Sequence, residues 1–164
     1  FSAYPFIGIV LSPCIIIPML IEIYSDGSGN SNDGLGGWAY RILIDGVLKT
    51  EAGGCIPYAT NNVAELYAAI EGLEEAIKIG SQYDESKEYI LISDSKLVLG
   101  YADGSYKCSA LHLKHLHEKI RKLYTLMSLK VQWVKGHSGD INNEACDKLA
   151  KASKLTDSAT SRGD

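Results

Sequence analysis

Trp38-Ala39-Tyr40-Arg41-Ile42-Leu43-Ile44-Asp45-Gly46-Val47-Leu48-Lys49-Thr50 is the stretch on which the fold turns. Two runs rich in β-formers flank Asp45-Gly46, the dipeptide that most favours a two-residue hairpin turn, so Trp38–Ile44 and Val47–Thr50 read as an antiparallel pair. Just upstream, Leu20-Ile21-Glu22-Ile23-Tyr24 reads as a strand of its own, giving three antiparallel strands at the start of the domain.

Downstream the periodicity changes. Val63, Leu66, Ile70, Leu73 and Ile77 recur at helical spacing after Asn61-Asn62, either of which can cap a helix that ends at Gly80. Tyr89–Ser93 is a fourth strand, followed by a short helix around Ser95–Tyr101 and a turn at Asp103-Gly104. A long helix over His112–Met127 carries Leu113, Leu116, Ile120, Leu123 and Met127 on one face, with Lys114, Lys119 and Lys122 mainly on the other. Leu129–Val134 alternates as a fifth strand. A glycine-rich loop, Lys135–Ile141, precedes a last helix over about Asn143–Lys154, and the end of the chain reads as a frayed tail. The order calls for an α/β domain: a mixed five-stranded sheet, three antiparallel strands then two parallel, with helices on both faces.

The chain has 164 residues, 46% hydrophobic and 22% charged, with sixteen scattered glycines, which excludes a disordered tail and a heptad rod. A domain of this length buries roughly 70% of its unfolded surface and needs no disulfide or metal staple. Cys14, Cys55, Cys108 and Cys146 show neither CxxC pairing nor a zinc-ligand histidine, so a reducing compartment fits, and a cytoplasmic monomer is expected. Cys146 reads as a small buried hydrophobe.

Residues 1–18 are apolar and uncharged, but Pro5, Pro13 and Pro18 interrupt any helix and no basic residue precedes the run. They are expected to be an upstream extension, a polyprotein remnant or an added strand, rather than a membrane anchor, with the domain over residues 19–155 and a flexible tail over 156–164.

The net charge of −4 hides a polarised distribution. Lys107, Lys114, Lys119, Arg121, Lys122, Lys130 and Lys135, opposed only by Glu118, give one window about +6, and the rest of the chain about −10. Such a protein is able to hold a polyanion despite its acidic total.

Four acids stand where the topology can gather them. Asp26 follows the first strand and Asp94 the fourth, so both emerge at one sheet end if those strands are neighbours. Glu65 falls in the first turn of the long helix and Asp147 in the last helix, both beside apolar positions. Each alone has an ordinary use as a cap or turn residue. Together, carboxylates so close repel unless cations hold them. Hard oxygen ligands suit Mg²⁺ or Mn²⁺, and two ions roughly 3.5–4 Å apart are the known arrangement for in-line attack on a phosphodiester. A calcium loop over Asp26–Gly37 fails, because the sixth position is Ser31 and the twelfth Gly37. Dinucleotide, Walker and nucleophile-elbow patterns fail as well.

Tyr24-Ser25-Asp26-Gly27-Ser28, Thr60-Asn61-Asn62-Val63-Ala64-Glu65-Leu66, Ile92-Ser93-Asp94-Ser95, Trp133-Val134-Lys135-Gly136-His137-Ser138-Gly139 and Asn143-Glu144-Ala145-Cys146-Asp147 resemble, in order and spacing, the motifs of type 1 ribonuclease H. The resemblance runs from about residue 20 to residue 153. It implies an endonuclease that cuts the RNA strand of an RNA/DNA hybrid, leaving 5′-phosphate and 3′-hydroxyl ends. It further implies two Mg²⁺ ions on Asp26, Glu65, Asp94 and Asp147, with Asp26 shared between them. By the same resemblance His137 assists proton transfer or product release. Gly27, Ser28, Asn61 and Asn62 contact the hybrid's minor groove, Asn143 a phosphate at or beside the cut, and Tyr106 and Lys107 the DNA strand. The sequence departs from relatives that carry a basic protrusion: the interval between Asp94 and His137 is short, and weaker hybrid binding is expected. A non-catalytic nucleic-acid-binding domain on the same fold, or a domain excised from a reverse transcriptase polyprotein, is the alternative.

Overall fold

The computed structural model describes residues 5, 8–9, 12–29 and 34–160; the polar stretch 30–33, much of the apolar leader and the last four tail residues lie outside them. The described chain forms β1 (Met19–Gly29), β2 (Leu35–Ile44), β3 (Val47–Pro57), α1 (Asn61–Gly80), β4 (Lys87–Ser93), α2 (Lys96–Asp103), a 3-10 turn at Leu111–Leu113, α3 (Lys114–Met127), β5 (Lys130–Trp133) and α4 (Ile141–Thr160). The strands make one sheet in the order β3-β2-β1-β4-β5. β1 pairs antiparallel with β2 and β2 with β3, whereas β1–β4 and β4–β5 are parallel. This is the mixed sheet the sequence order called for, and β1 is its central strand.

The hairpin forms where Asp45-Gly46 placed it. Both residues have positive φ, 48° and 80°, the signature of a turn whose twist matches the strands it joins. Asp45 also accepts a hydrogen bond from the Leu20 N–H at 2.9 Å, fixing the hairpin tip to the start of β1.

Side chains alternate across the sheet and bury two clusters. Ile21, Ile23, Ile42 and Leu91 meet Leu66, Ile70 and Leu73 of α1 and Ile120 of α3 in the larger one. On the other face Tyr24, Leu43 and Ile92 pack with Cys146 of α4, which is 1% exposed, as its reading as a hydrophobe required. α1 packs against β1 and β2, and α4 spans β1, β2 and β3.

Several boundaries differ from expectation, each for a local reason. β1 continues through Ser25-Asp26-Gly27-Ser28-Gly29 because β2 begins early enough to pair with it, Asp26 opposite Ala39 and Gly29 opposite Gly36. Asp26 therefore lies within the strand rather than after it. Thr60, not Asn61 or Asn62, caps α1, its hydroxyl accepting from the Val63 N–H at 3.3 Å. This places Glu65 past the first turn of the helix. The expected helix from His112 begins instead as a 3-10 turn and becomes α-helical at Lys114. α4 starts two residues early, at Ile141, and runs to Thr160, so a helix occupies part of the expected tail.

Candidate active site

Asp26 sits on the central strand at the end where β4 delivers Asp94. The close approach of α1 makes the third contribution possible. At Gly27 a Cβ would overlap the backbone nitrogen of Glu65 and the carbonyl carbon of Ala64, and at Gly29 one would overlap the backbone at Thr60 and Asn61. Only a chain without side chains at these points lets the helix lie against the strand. Asn61 closes the contact by accepting the Gly29 N–H at 3.3 Å. Asp26, Glu65 and Asp94 each bring a carboxylate oxygen within 4.8 Å of the other two.

Asp94 is held from several sides. Its carbonyl accepts the indole N–H of Trp133 at 3.1 Å, and a Cβ at Gly136 would lie 3.0 Å from its carboxylate, so the loop before α4 closes directly on it. Ser95, which caps α2 by accepting from the Val98 N–H, also hydrogen-bonds Glu65. Asp147 stands on the α4 side, within hydrogen-bonding reach of Asp26 and ion-paired to Lys151 at 2.9 Å.

The charges strain this arrangement. Asp26 is 6% exposed, and burial followed by the Asp94 and Glu65 carboxylates pushes its carboxyl up to about 9. Burial also raises Glu65, the Ser95 hydrogen bond opposing it and Asp94 adding to it. Burial would raise Asp147 too, but hydrogen bonds from Lys151 and Asp26 outweigh it and hold that carboxyl low, helped by the nearby His137 imidazole. A cluster in which crowding and burial raise the Asp26 carboxyl, and whose donors are all hard oxygens, fits Mg²⁺ or Mn²⁺. Without divalent metal, protonation of Asp26 links stability to pH. An acid raised in the folded state contributes stability that is complete below about pH 4, where the unfolded carboxyl is also protonated, and is lost as pH rises through about 9. Asp147, shifted the other way, acts below about pH 4 and leaves this window untouched. The melting temperature in EDTA is expected to fall by at least about 4 °C between pH 5 and 9, on the order of 1–2 kcal/mol, and less so in Asp26→Asn. A flat or rising profile would contradict the geometry.

Residues 19–154 match the family model described as RNase H. The chain belongs to the RNase H family. It is 34% identical over 137 residues to ribonuclease H of Legionella pneumophila, covering 80% of this chain and 94% of that one, and 38% identical over 141 residues to ribonuclease HI of Campylobacter jejuni, covering 82% and 91%. Among solved structures it resembles LC11-RNase H1 in complex with an RNA/DNA hybrid, with a TM-score of 0.72, 26% identity and coverage of 84% of this chain and 98% of that one. An RNase H is a metal-dependent hydrolase, and the acidic group described above is suited to holding that metal.

In this RNase H the other expected site residues are distributed unevenly. His137 is exposed with φ 54° in the loop between Gly136 and Gly139, beside Asp147. Ser28, Asn61 and Asn62 line the start of α1 beside β1; Gly27, also expected to touch substrate, is filled by the helix backbone instead. Asn143 is 3% exposed, with its side-chain amide directed at Asp94 Oδ2, 3.2 Å away. Tyr106 lies across Gly100, 44% exposed, on the rim of a cleft of about 370 Å³ shared with Lys96 and Trp133, and Lys107 is exposed next to it. The basic window is partly neutralised: Lys119 pairs with Glu74, Lys130 with Glu88, and Arg121 donates to the Ala102 carbonyl at 2.6 Å. Lys107, Lys114, Lys122 and Lys135 remain exposed.

Sequence reasoning missed Lys151, Trp133 and Arg41 as supports of the site. The spacing of Asp147 and Lys151, four apart on a helix, was a readable signal. Nothing in the sequence marked the reach of Trp133 to Asp94 or of Arg41, through its Nε, to the Asn142 side chain at 2.9 Å.

Proposed function

We propose that the chain hydrolyses the RNA strand of RNA/DNA hybrids with two Mg²⁺ ions, Mn²⁺ being able to substitute. The observation that carries this reading is the gathering of the Asp26, Glu65 and Asp94 carboxylates within 4.8 Å, with Asp147 reaching Asp26 from the opposite element. Asp26 groups with Glu65 and Asp94 and also meets Asp147, and is the carboxylate fit to be shared by both ions. When bound, the ions supply activation of the attacking water and neutralisation of charge on the leaving oxygen.

The protein's own groups do the rest. Glu65, hydrogen-bonded to Ser95, and Asp94, whose backbone carbonyl accepts from Trp133 and whose carboxylate accepts from Asn143 beside Gly136, are held in place, so little reorganisation accompanies reaction. His137 stands in a loop with positive φ at both His137 and Gly139, exposed and beside Asp147, where its imidazole delivers a proton to the leaving 3′ oxygen or assists product departure. Recognition of the RNA strand rests on its 2′-hydroxyls. The Ser28 backbone and the Asn61 and Asn62 amides, grouped where β1 meets α1, are placed to read them, and Tyr106 with Lys107 is placed to take the DNA strand.

The catalytic unit is proposed to span residues 19–155, with the apolar leader and the C-terminal residues outside it, acting as a cytoplasmic monomer. Unpaired thiols at Cys14, Cys108 and Cys146 support a reducing compartment. No helix among the described residues is long and apolar enough to cross a membrane. The test is end-group analysis of a digested hybrid. RNA fragments with 5′-phosphate and 3′-hydroxyl ends are expected; 2′,3′-cyclic phosphate or 5′-hydroxyl ends would overturn the reading, since they mark attack by the ribose rather than by water.

A further inference from the structure

The geometry points to Asn143 as a positioning residue for Asp94, acting on metal affinity and not as a contact to nucleic acid. The inference rests on the metal-binding reading of the carboxylates. It begins with how firmly the head of α4 is built. Asp140 caps the helix, its carboxylate accepting from the Asn143 N–H at 2.8 Å and its carbonyl from the Glu144 N–H at 3.0 Å. Glu144 reaches back to accept the Gly139 N–H at 3.2 Å. On the neighbouring strand Arg41, anchored by Glu51 at 2.9 Å, donates through Nε to the Asn142 side chain. The first turn of α4 is thus tied to its own loop and to the sheet, and Asn143 projects from a fixed base.

That side chain points into the protein. It is 3% exposed, and its amide Nδ2 donates to Asp94 Oδ2 at 3.2 Å. Gly136 closes on the same oxygen, where a Cβ would come to 3.0 Å. One oxygen of Asp94 is therefore held between an amide donor and a loop with no side chain, which fixes the rotation of the carboxylate beside Asp26 and Glu65. The other end of the amide, Asn143 Oδ1, is buried with no hydrogen-bond partner among the described residues. An orphaned buried acceptor is costly, and an apolar residue of the same shape would avoid it. The fold keeps an asparagine where packing alone favours leucine, and the feature that asparagine adds is the donor on Asp94. At 3% exposed, the side chain offers little surface to a phosphate outside the protein.

Asn143→Leu and Asn143→Ala separate this role from the alternatives. Leucine keeps the volume and removes both the donor and the orphan, so its melting temperature in EDTA is expected to match or exceed that of the parent. Mn²⁺ binding followed by calorimetry is expected to weaken about tenfold or more in both variants, the usual penalty for loss of a group that orients a metal ligand. Hybrid affinity in EDTA, and KM for hybrid at saturating metal, are expected to stay within twofold of the parent while kcat falls. Unchanged Mn²⁺ affinity with hybrid affinity reduced tenfold would make Asn143 a phosphate contact and overturn the inference. Unchanged affinity for both, with a lowered melting temperature in Asn143→Leu, would reduce the residue to a structural one. A parent protein that binds no Mn²⁺ would instead defeat the metal-binding reading itself, and the inference with it.

Discussion

Asp26→Asn is expected to reduce cleavage of an RNA/DNA hybrid by at least about 1000-fold, roughly 4 kcal/mol of transition-state stabilisation, while binding of the hybrid is retained or strengthened. The expectation follows from where the residue lies. It is the one acid in reach of all three others, on the central strand and almost wholly buried. Asparagine keeps the shape and one carbonyl oxygen but cannot carry the negative charge that a shared ligand between two cations needs. Hybrid affinity should not suffer, because a negative charge is withdrawn from the path of the phosphates. The same substitution removes a group that must take up a proton to fold at pH 8, because the buried Asp26 carboxyl is raised to about 9 while the unfolded one is ionised. At pH 8 in EDTA the variant should therefore be more stable than the parent by about 1–3 kcal/mol, a rise of several degrees in melting temperature. Gain of stability together with loss of activity is what a site organised around absent positive charge produces. Cleavage within tenfold of the parent would show that Asp26 is not a metal ligand.

The second large effect belongs to a residue with no side chain. Gly27→Ala is expected to lower stability by about 3 kcal/mol or more and to depress the melting temperature by roughly 6–12 °C. The added methyl group meets the backbone of Ala64 and Glu65, and backbone inside a twenty-residue helix cannot step aside as a flexible side chain can. Relief requires α1 to move away from β1, which also withdraws Glu65 from Asp26, so cleavage should fall even where the variant remains folded. The resemblance to ribonuclease H assigns Gly27 to substrate contact. The structure gives it this packing duty, and the two make different forecasts. A variant that melts within 2 °C of the parent but has a tenfold higher KM would support contact alone.

These two residues show what was legible in the sequence. The hairpin at Asp45-Gly46 and the apolar periods of α1 and α3 were plain, because turn chemistry and burial act over a few neighbouring residues. From them the mixed sheet followed, and with it the placing of Asp26 and Asp94 at one end. What was not legible depended on partners distant in sequence. Ser25-Asp26-Gly27-Ser28-Gly29 has the composition of a loop, and becomes strand only because β2 supplies a ladder as far as Gly36. Thr60 outcompetes two asparagines as the cap of α1 because Asn61 is engaged by the Gly29 N–H. The resemblance assigns Asn143 to a phosphate contact, and its hydrogen bond to Asp94 depends on the packing of α4 against a residue 49 positions away in the chain. The basic window likewise overstates the charge offered to a polyanion, since Glu74 and Glu88, remote in sequence, pair with two of its lysines.

Metal-dependent hydrolysis of RNA/DNA hybrids is tested most directly by cleavage of one end-labelled RNA in three forms, as an RNA/DNA hybrid, single-stranded and in an RNA duplex, each with Mg²⁺ and with EDTA. Cutting of the hybrid alone, and only with metal, is expected. Cutting of the single strand or the RNA duplex at a comparable rate, or cutting that persists in EDTA, would contradict it.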